Sequence, residues 1–205
     1  MAVRARLVLG LATVALLAAT VRLDLPRASR GEFWGDWATY YAMAWSLARD
    51  LDLRFDERDL ARVVSEYPNG PQGLFLKRAS GGLTVDRAAG FAWLRRVHPD
   101  EGRLYYAKAF VHPLVAAPLV ALLGTRGLLL ANGVLLSAAL WLAFVVLQRR
   151  GMGPWAALGV AVALFLLTVT PLYLVWPTPE ILGLALITAG LAAWATGRPL
   201  LAAVL

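Results

Sequence analysis

Gly127 to Leu147, GLLLANGVLLSAALWLAFVVL, is a run of 21 residues without a single charge. It is too long, too apolar and too free of charge for a soluble helix. About 20 predominantly apolar residues cross the hydrocarbon core of a bilayer. Three further stretches have this character. Leu7 to Val21 is short by itself but is flanked by Val3, Leu23 and Leu25. Trp155 to Trp176 follows Pro154, which is suited to a helix start. Ile181 to Thr196 is stopped by Gly197, Arg198 and Pro199.

Composition divides the 205 residues into two materials. Overall 60% are hydrophobic and 16% charged, against about 25% charged in a typical soluble domain. Of 13 acidic residues, 12 lie between Asp24 and Glu101, and 14 of 20 Lys and Arg lie between Arg22 and Lys108. A polar, nearly charge-balanced insert is thus set into an almost uncharged remainder. The net charge of +7 does not indicate nucleic acid, because the surplus arginines sit at the ends of apolar runs, where they orient helices. With no cysteine, disulfides, thiolate metal sites and cysteine nucleophiles are excluded.

The expected fold class is all-α: a polytopic membrane helix bundle with spans near 7–21, 127–147, 155–176 and 181–196. A large extracytoplasmic loop over 22–126 would carry interfacial helices near 37–49 and 109–123. Ala109 to Leu123, with Pro113 and Pro118, falls short of a crossing. If it stays on one side, Arg4/Arg6, Arg149/Arg150 and Arg198 share one face, as the positive-inside rule prefers. This places the N-terminus in the cytoplasm and the chain in the cell membrane. A cleaved signal peptide is the alternative for the first span, with Ala18-Ala19-Thr20 a weak cleavage site. Leu200 to Leu205 reads as the opening of another span.

Within the loop, Gly31-Glu32-Phe33-Trp34-Gly35-Asp36-Trp37 leads into a helix to Arg49. There Trp37, Tyr41, Trp45 and Ala48 recur at helical spacing as one stripe, suited to the membrane–water interface. Asp36 is expected at the helix N-cap, and it also suits a catalytic base at the membrane face. Asp50-Leu51-Asp52 has a metal-compatible spacing, but a helix end followed by a turn accounts for it equally. Asp56 to Asp59 opens a further helix whose acidic start suits the helix dipole, and Tyr67 to Pro71 is a turn. Lys77-Arg78, Arg95-Arg96, and Lys108 with His112 four residues on are either solvated charge or contacts to a lipid-linked phosphate. Glu180, in Trp176-Pro177-Thr178-Pro179-Glu180, is the only acid outside the insert. It either caps a helix or joins Asp36 on one membrane face.

Together these features resemble the GT-C membrane glycosyltransferases, whose first span is followed by a long extracytoplasmic loop opening on an acidic motif. Gly35-Asp36-Trp37 with Tyr40-Tyr41 stands at that motif, though Trp37 replaces the usual second acid. Tyr105-Tyr106-Ala107-Lys108-Ala109-Phe110 to Gly124 resembles the stretch leading into the second span. The family has roughly twice as many spans. The resemblance implies inverting transfer of a sugar from a polyprenyl-phosphate donor to a glycan, lipid or protein acceptor of the cell envelope. Asp36 would be the base, Glu180 would orient the acceptor or help hold a divalent cation, and Trp37, Tyr40, Tyr41, Lys77, Arg78, Lys108 and His112 would bind substrate. No residue requires a metal. The competing expectations are a non-catalytic relative or lipid-binding scaffold subunit, and, less consistent with charge-free spans, a transporter.

Overall fold

The computed structural model describes residues 1–78, 82–88, 91–97 and 102–204, with backbone alone for 82–88, 91–97 and Pro199. They form two compact units: Met1–Arg22 with Leu129–Leu205, and Leu23–Leu128.

The first unit is all-helical: α1 (Ala2–Arg22), α6 (Thr125–Arg149, from Leu129 on), α7 (Pro154–Leu166), the single turn α8 (Leu172–Val175), α9 (Glu180–Ala195) and α10 (Pro199–Val204). Among the described residues, α1 and α6 are long and apolar enough to cross a membrane. Ala5, Leu9, Leu136, Leu140, Phe144, Ala161 and Ile181 belong to one buried cluster. The outward faces are apolar too, with Leu7, Leu11, Val14, Leu164, Ile187 and Leu191 all more than half exposed.

Two contacts fix the register of α1 against α6. Trp141 donates its indole N–H to Thr13 Oγ1 at 2.9 Å, and Gly133 lies against Leu17 and Thr20. The helices therefore run antiparallel, and the same register sets Arg4 and Arg6 towards Arg149. Arg150 donates to the carbonyl of Ala195, so α6 and α9 end together. The arginines at the start of α1 and at the ends of α6 and α9 thus gather at one end of this unit.

The stretch expected as one span from Trp155 to Trp176 is interrupted. Helix α7 stops at Leu166, and only α8 follows. Pro171 has no N–H to continue a helix and disfavours the α conformation at Thr170. Thr168 donates to the Leu164 carbonyl at 3.2 Å and exchanges a hydroxyl hydrogen bond of 2.9 Å with Thr170. Fully buried Asn132 donates from Nδ2 to the Tyr173 carbonyl at 3.1 Å. Protein groups thereby satisfy part of the backbone that leaves the helix.

The second unit holds the single turn α2 (Leu25–Ala28), α3 (Gly35–Arg49), α4 (Glu57–Glu66), α5 (Val111–Leu123) and the first turn of α6. It also carries strands, which the all-α expectation did not include. β1 (Arg54–Phe55), β5 (Leu104–Tyr106) and β2 (Leu76–Arg78) form a small antiparallel sheet in that order, with Arg54 opposite Tyr105 and Lys77 opposite Tyr105. β3 (Gly82–Ala88) and β4 (Phe91–Val97) pair as a hairpin, Gly82 opposite Val97. Arg95 and Arg96 fall in β4, and their side chains lie outside the described residues.

Helix α3 is the centre of this unit. Ala38, Thr39, Tyr40, Tyr41, Ala42, Met43, Ala44, Ser46 and Leu47 are all buried. Helix α5 packs against it, with His112, Pro113, Ala116, Ala117 and Val120 buried. Of the aromatic stripe expected to face the membrane interface, Tyr41 is buried, with Phe33 edge-on to it at 5.6 Å and stacked on Tyr67 at 4.0 Å, whereas Trp37, Trp45 and Ala48 are half-buried. Helix α5 leaves Val111, Leu114, Val115 and Leu122 exposed.

The α5–α6 corner is tightly packed. A Cβ at Gly127 would overlap the Leu119 carbonyl, backbone that cannot swing aside. Gly127→Ala should therefore cost about 2 kcal/mol or more, read as a lower thermal midpoint in detergent. Gly159→Ala, where a Cβ meets nothing within 4 Å, should leave the midpoint unchanged or raise it.

Candidate functional site

Asp36 does not cap α3. The N-cap is Trp34, which makes no side-chain capping bond, and the helix begins at Gly35 with φ of 65°, a left-handed angle that glycine adopts without strain. The Gly35 N–H donates to the Gln72 carbonyl at 2.8 Å, and Thr39 Oγ1 accepts the Phe75 N–H at 3.0 Å. The segment 72–75 is thereby tied along the first turn of α3. Asp36, released from capping, forms an ion pair with Lys108 at 2.7 Å.

Lys108 also sits over the Phe75 ring, 4.0 Å from its centroid, a cation–π contact. The Asp36 carboxylate beside it holds Lys108 above the usual lysine range. The Asp36 side chain is 41% exposed and that of Lys108 26%, so the pair is open to solvent on one side. Tyr40 is a charge neighbour of Lys108 and meets the His112 ring edge-on at 5.8 Å. Trp34, half exposed, stacks on Trp37 at 6.1 Å. The result is a carboxylate and an ammonium on a shelf edged by aromatic rings, which can bind a polar, partly apolar ligand carrying an anionic group.

Asp36, Lys108, Tyr40, His112 and Trp37 therefore belong to one neighbourhood. Other expected site residues have different places. Tyr41 is fully buried and its hydroxyl donates to Glu66, so it is a core residue. Burial and the Glu66 charge push that hydroxyl far above the ordinary tyrosine range. His112 is 2% exposed and backs Tyr40 from the interior. It does not share a helical face with Lys108, which precedes α5 in a bend. Lys77 and Arg78 are exposed on edge strand β2. Glu180 is exposed as the first residue of α9, with Pro179 as its N-cap, and belongs to the other unit.

The Asp-x-Asp spacing is taken up structurally. Asp50 pairs with Arg62 and lies 3.7 Å from Arg58. Asp52 accepts from Ser46 Oγ at 2.9 Å and from the Arg54 N–H at 3.1 Å.

Two acids have structural roles that the sequence analysis did not assign. Glu66 holds together three segments: it accepts from the Tyr41 hydroxyl, and its Oε2 accepts from the Thr125 N–H at 3.1 Å and the Thr125 hydroxyl at 2.7 Å. Its position at the end of an amphipathic helix, just before Tyr67-Pro68, gives little sign of this. Asp59 closes a capping box with Asp56, faces Arg62 at 3.1 Å, and is 1% exposed. Burial pushes its carboxyl up to about 7, and the Asp56 and Asp50 charges add to that.

An acid whose pKa is raised in the folded state stabilises the fold below its unfolded value and loses that contribution as pH climbs through the folded value. The chain should be most stable near pH 4 as far as Asp59 is concerned. That share should fall towards pH 7, with a slope of at most about 1.4 kcal/mol per pH unit. Asp59→Asn, which keeps an acceptor for the Asp56 N–H, should flatten the slope. Thermal unfolding in detergent at stepped pH measures it.

Comparison with protein-family models, with curated proteins and with solved structures gives no match to this chain.

Proposed function

We propose that the chain is a membrane glycosyltransferase of the GT-C type, which moves a sugar from a polyprenyl-phosphate donor to an acceptor at the extracytoplasmic face. The carrying observation is the Asp36–Lys108 pair, fixed at 2.7 Å on the first turn of a buried helix. A base and a cation side by side are the two groups that displacement of a phosphate needs.

In the resting protein Lys108 neutralises Asp36. A donor phosphate competes for the Lys108 ammonium and leaves the carboxylate able to accept a proton. Asp36 then takes the proton of the acceptor hydroxyl or amine as that atom bonds to the anomeric carbon. The bond from that carbon to the phosphate oxygen breaks, and polyprenyl phosphate departs with its charge against Lys108. Trp34, Trp37 and Tyr40 offer ring faces for the sugar. Lys77 and Arg78 supply more distant positive charge within the same unit.

A multi-pass topology underlies this assignment: the N-terminus and Arg149/Arg150 in the cytoplasm, and the unit Leu23–Leu128 outside. It is supported by the gathering of Arg4, Arg6, Arg150 and the end of α9 at one end of their unit, the asymmetry that orients membrane proteins. A non-catalytic relative is the second reading, and the neutralisation of Asp36 by Lys108 favours it.

The two readings separate on substitution. Asp36→Asn should lower sugar transfer from a polyprenyl-phosphate sugar by about 100-fold or more without loss of membrane insertion. Lys108→Gln should chiefly raise the donor KM. Transfer by Asp36→Asn at the wild-type rate would remove its role as base, and no transfer by the wild type with any such donor would favour the non-catalytic reading. Topology has its own check in a chain with no native cysteine. A membrane-impermeant thiol reagent on intact cells should label Glu32→Cys and spare Gly153→Cys, and the opposite pattern overturns the orientation.

A further inference from the structure

The arginine-rich end of the all-helical unit has an excess of charge that its own residues do not neutralise. Met1–Arg22 with Leu129–Leu205 contains six arginines, no lysine and one acid, Glu180. Glu180 opens α9, whereas Arg198 follows its other end, about 24 Å away along a helix of that length. Arg150 is engaged by the Ala195 carbonyl, and the α1–α6 register brings Arg4 and Arg6 to the same end. Exposed arginines clustered at one end of apolar helices attract anionic headgroups.

Two recesses flank the seam between α6 and α9 at this end, and both reach Val146 and Ala192. One, of about 300 Å³, is an apolar trough closed by α7, with Leu164, Phe165, Leu191 and Trp194 among its walls. Trp194, 70% exposed, stands at its rim as tryptophans do at a membrane–water boundary. The other, of about 240 Å³, is bordered by Arg149, Arg198 and Leu201. An apolar trough adjoining a pocket with two exposed guanidinium groups matches a molecule with a hydrocarbon chain and a phosphate.

We infer that the α6–α9 seam is a binding site for an anionic phospholipid of the cytoplasmic leaflet, its headgroup phosphate between Arg149 and Arg198 and an acyl chain in the trough against Leu164 and Phe165. Guanidinium forks suit phosphate oxygens, and basic pockets between membrane helices take anionic headgroups. The lipid supplies the counter-charge the unit lacks and seats the ends of α6 and α9 at the membrane surface. The assignment rests on the membrane topology above and is independent of catalysis at Asp36.

The test uses the full chain in non-ionic detergent, offered equal amounts of phosphatidylglycerol and phosphatidylcholine with identical acyl chains, with retained lipids counted by native mass spectrometry. The wild type should retain phosphatidylglycerol preferentially, on the order of tenfold for two arginines at one headgroup. Arg149→Gln combined with Arg198→Gln should bring the two lipids to parity. Both side chains are exposed, so the change reads charge and not folding. Leu164→Trp, filling the trough, should lower retention of both lipids with the charges intact. Equal retention by the wild type, or an undiminished preference in the double variant, overturns the site. Alkaline carbonate extraction runs alongside: release of the chain overturns the membrane topology and the site together. A chain that stays in the pellet without lipid preference overturns the site alone.

Discussion

Enclosure of α3 is the constraint on which the polar unit depends. Every residue from Ala38 to Ala44 is buried, with Ser46 and Leu47, and Tyr40 meets His112 of α5. A helix enclosed in this way cannot rotate without breaking contacts on several sides. Its ends are fixed as well. Gly35 and Thr39 bind the 72–75 segment at one end. At the other, Ser46 bonds Asp52 and Arg49 donates to the Ala121 carbonyl at 3.0 Å. Asp36 inherits that rigidity, and a reacting carboxylate needs a support of this kind.

What could be seen in the sequence followed from length and charge. Leu7 to Val21 and Gly127 to Leu147 lie inside α1 and α6, because a long uncharged run has few alternatives to helix. Asp56 to Asp59 likewise opens α4 as its acidic start foretold. The interruption after Leu166 escaped the same logic, since Thr168, Thr170 and Pro171 add little polarity to a run judged by its apolar content. The short strands escaped as well. Leu76–Arg78 and Leu104–Tyr106 are strands because they pair with one another across the chain, and three-residue segments carry no periodicity of their own.

The site was legible in its members more than in its geometry. Asp36 and Lys108 stand out individually, yet their contact joins residues 72 apart in sequence, and no local pattern encodes it. Spacing correctly placed Trp37, Tyr41 and Trp45 on one side of a helix, but a stripe does not say what covers it. Phe33 and Tyr67 cover part of it, which turns Tyr41 from a surface ring into a core one. Asp36 was misplaced as a cap because Gly35, with its positive φ, lets the helix start one residue before it.

The Asp36–Lys108 pair is a poor device for stability. Exposed ion pairs contribute only about 0–1 kcal/mol, and this one sits where water screens both partners. For the proposed transfer, its value lies in exchange. The ammonium is shared among a carboxylate, the Phe75 face and solvent, so an arriving phosphate can displace the carboxylate without first exposing a buried charge. A tighter, buried pair would resist that exchange, because separating its partners leaves one charge uncompensated in a poor solvent. For the proposed transfer, the half-exposed geometry lets a cation move from Asp36 to a leaving phosphate at low cost, while the enclosed helix beneath keeps Asp36 in place.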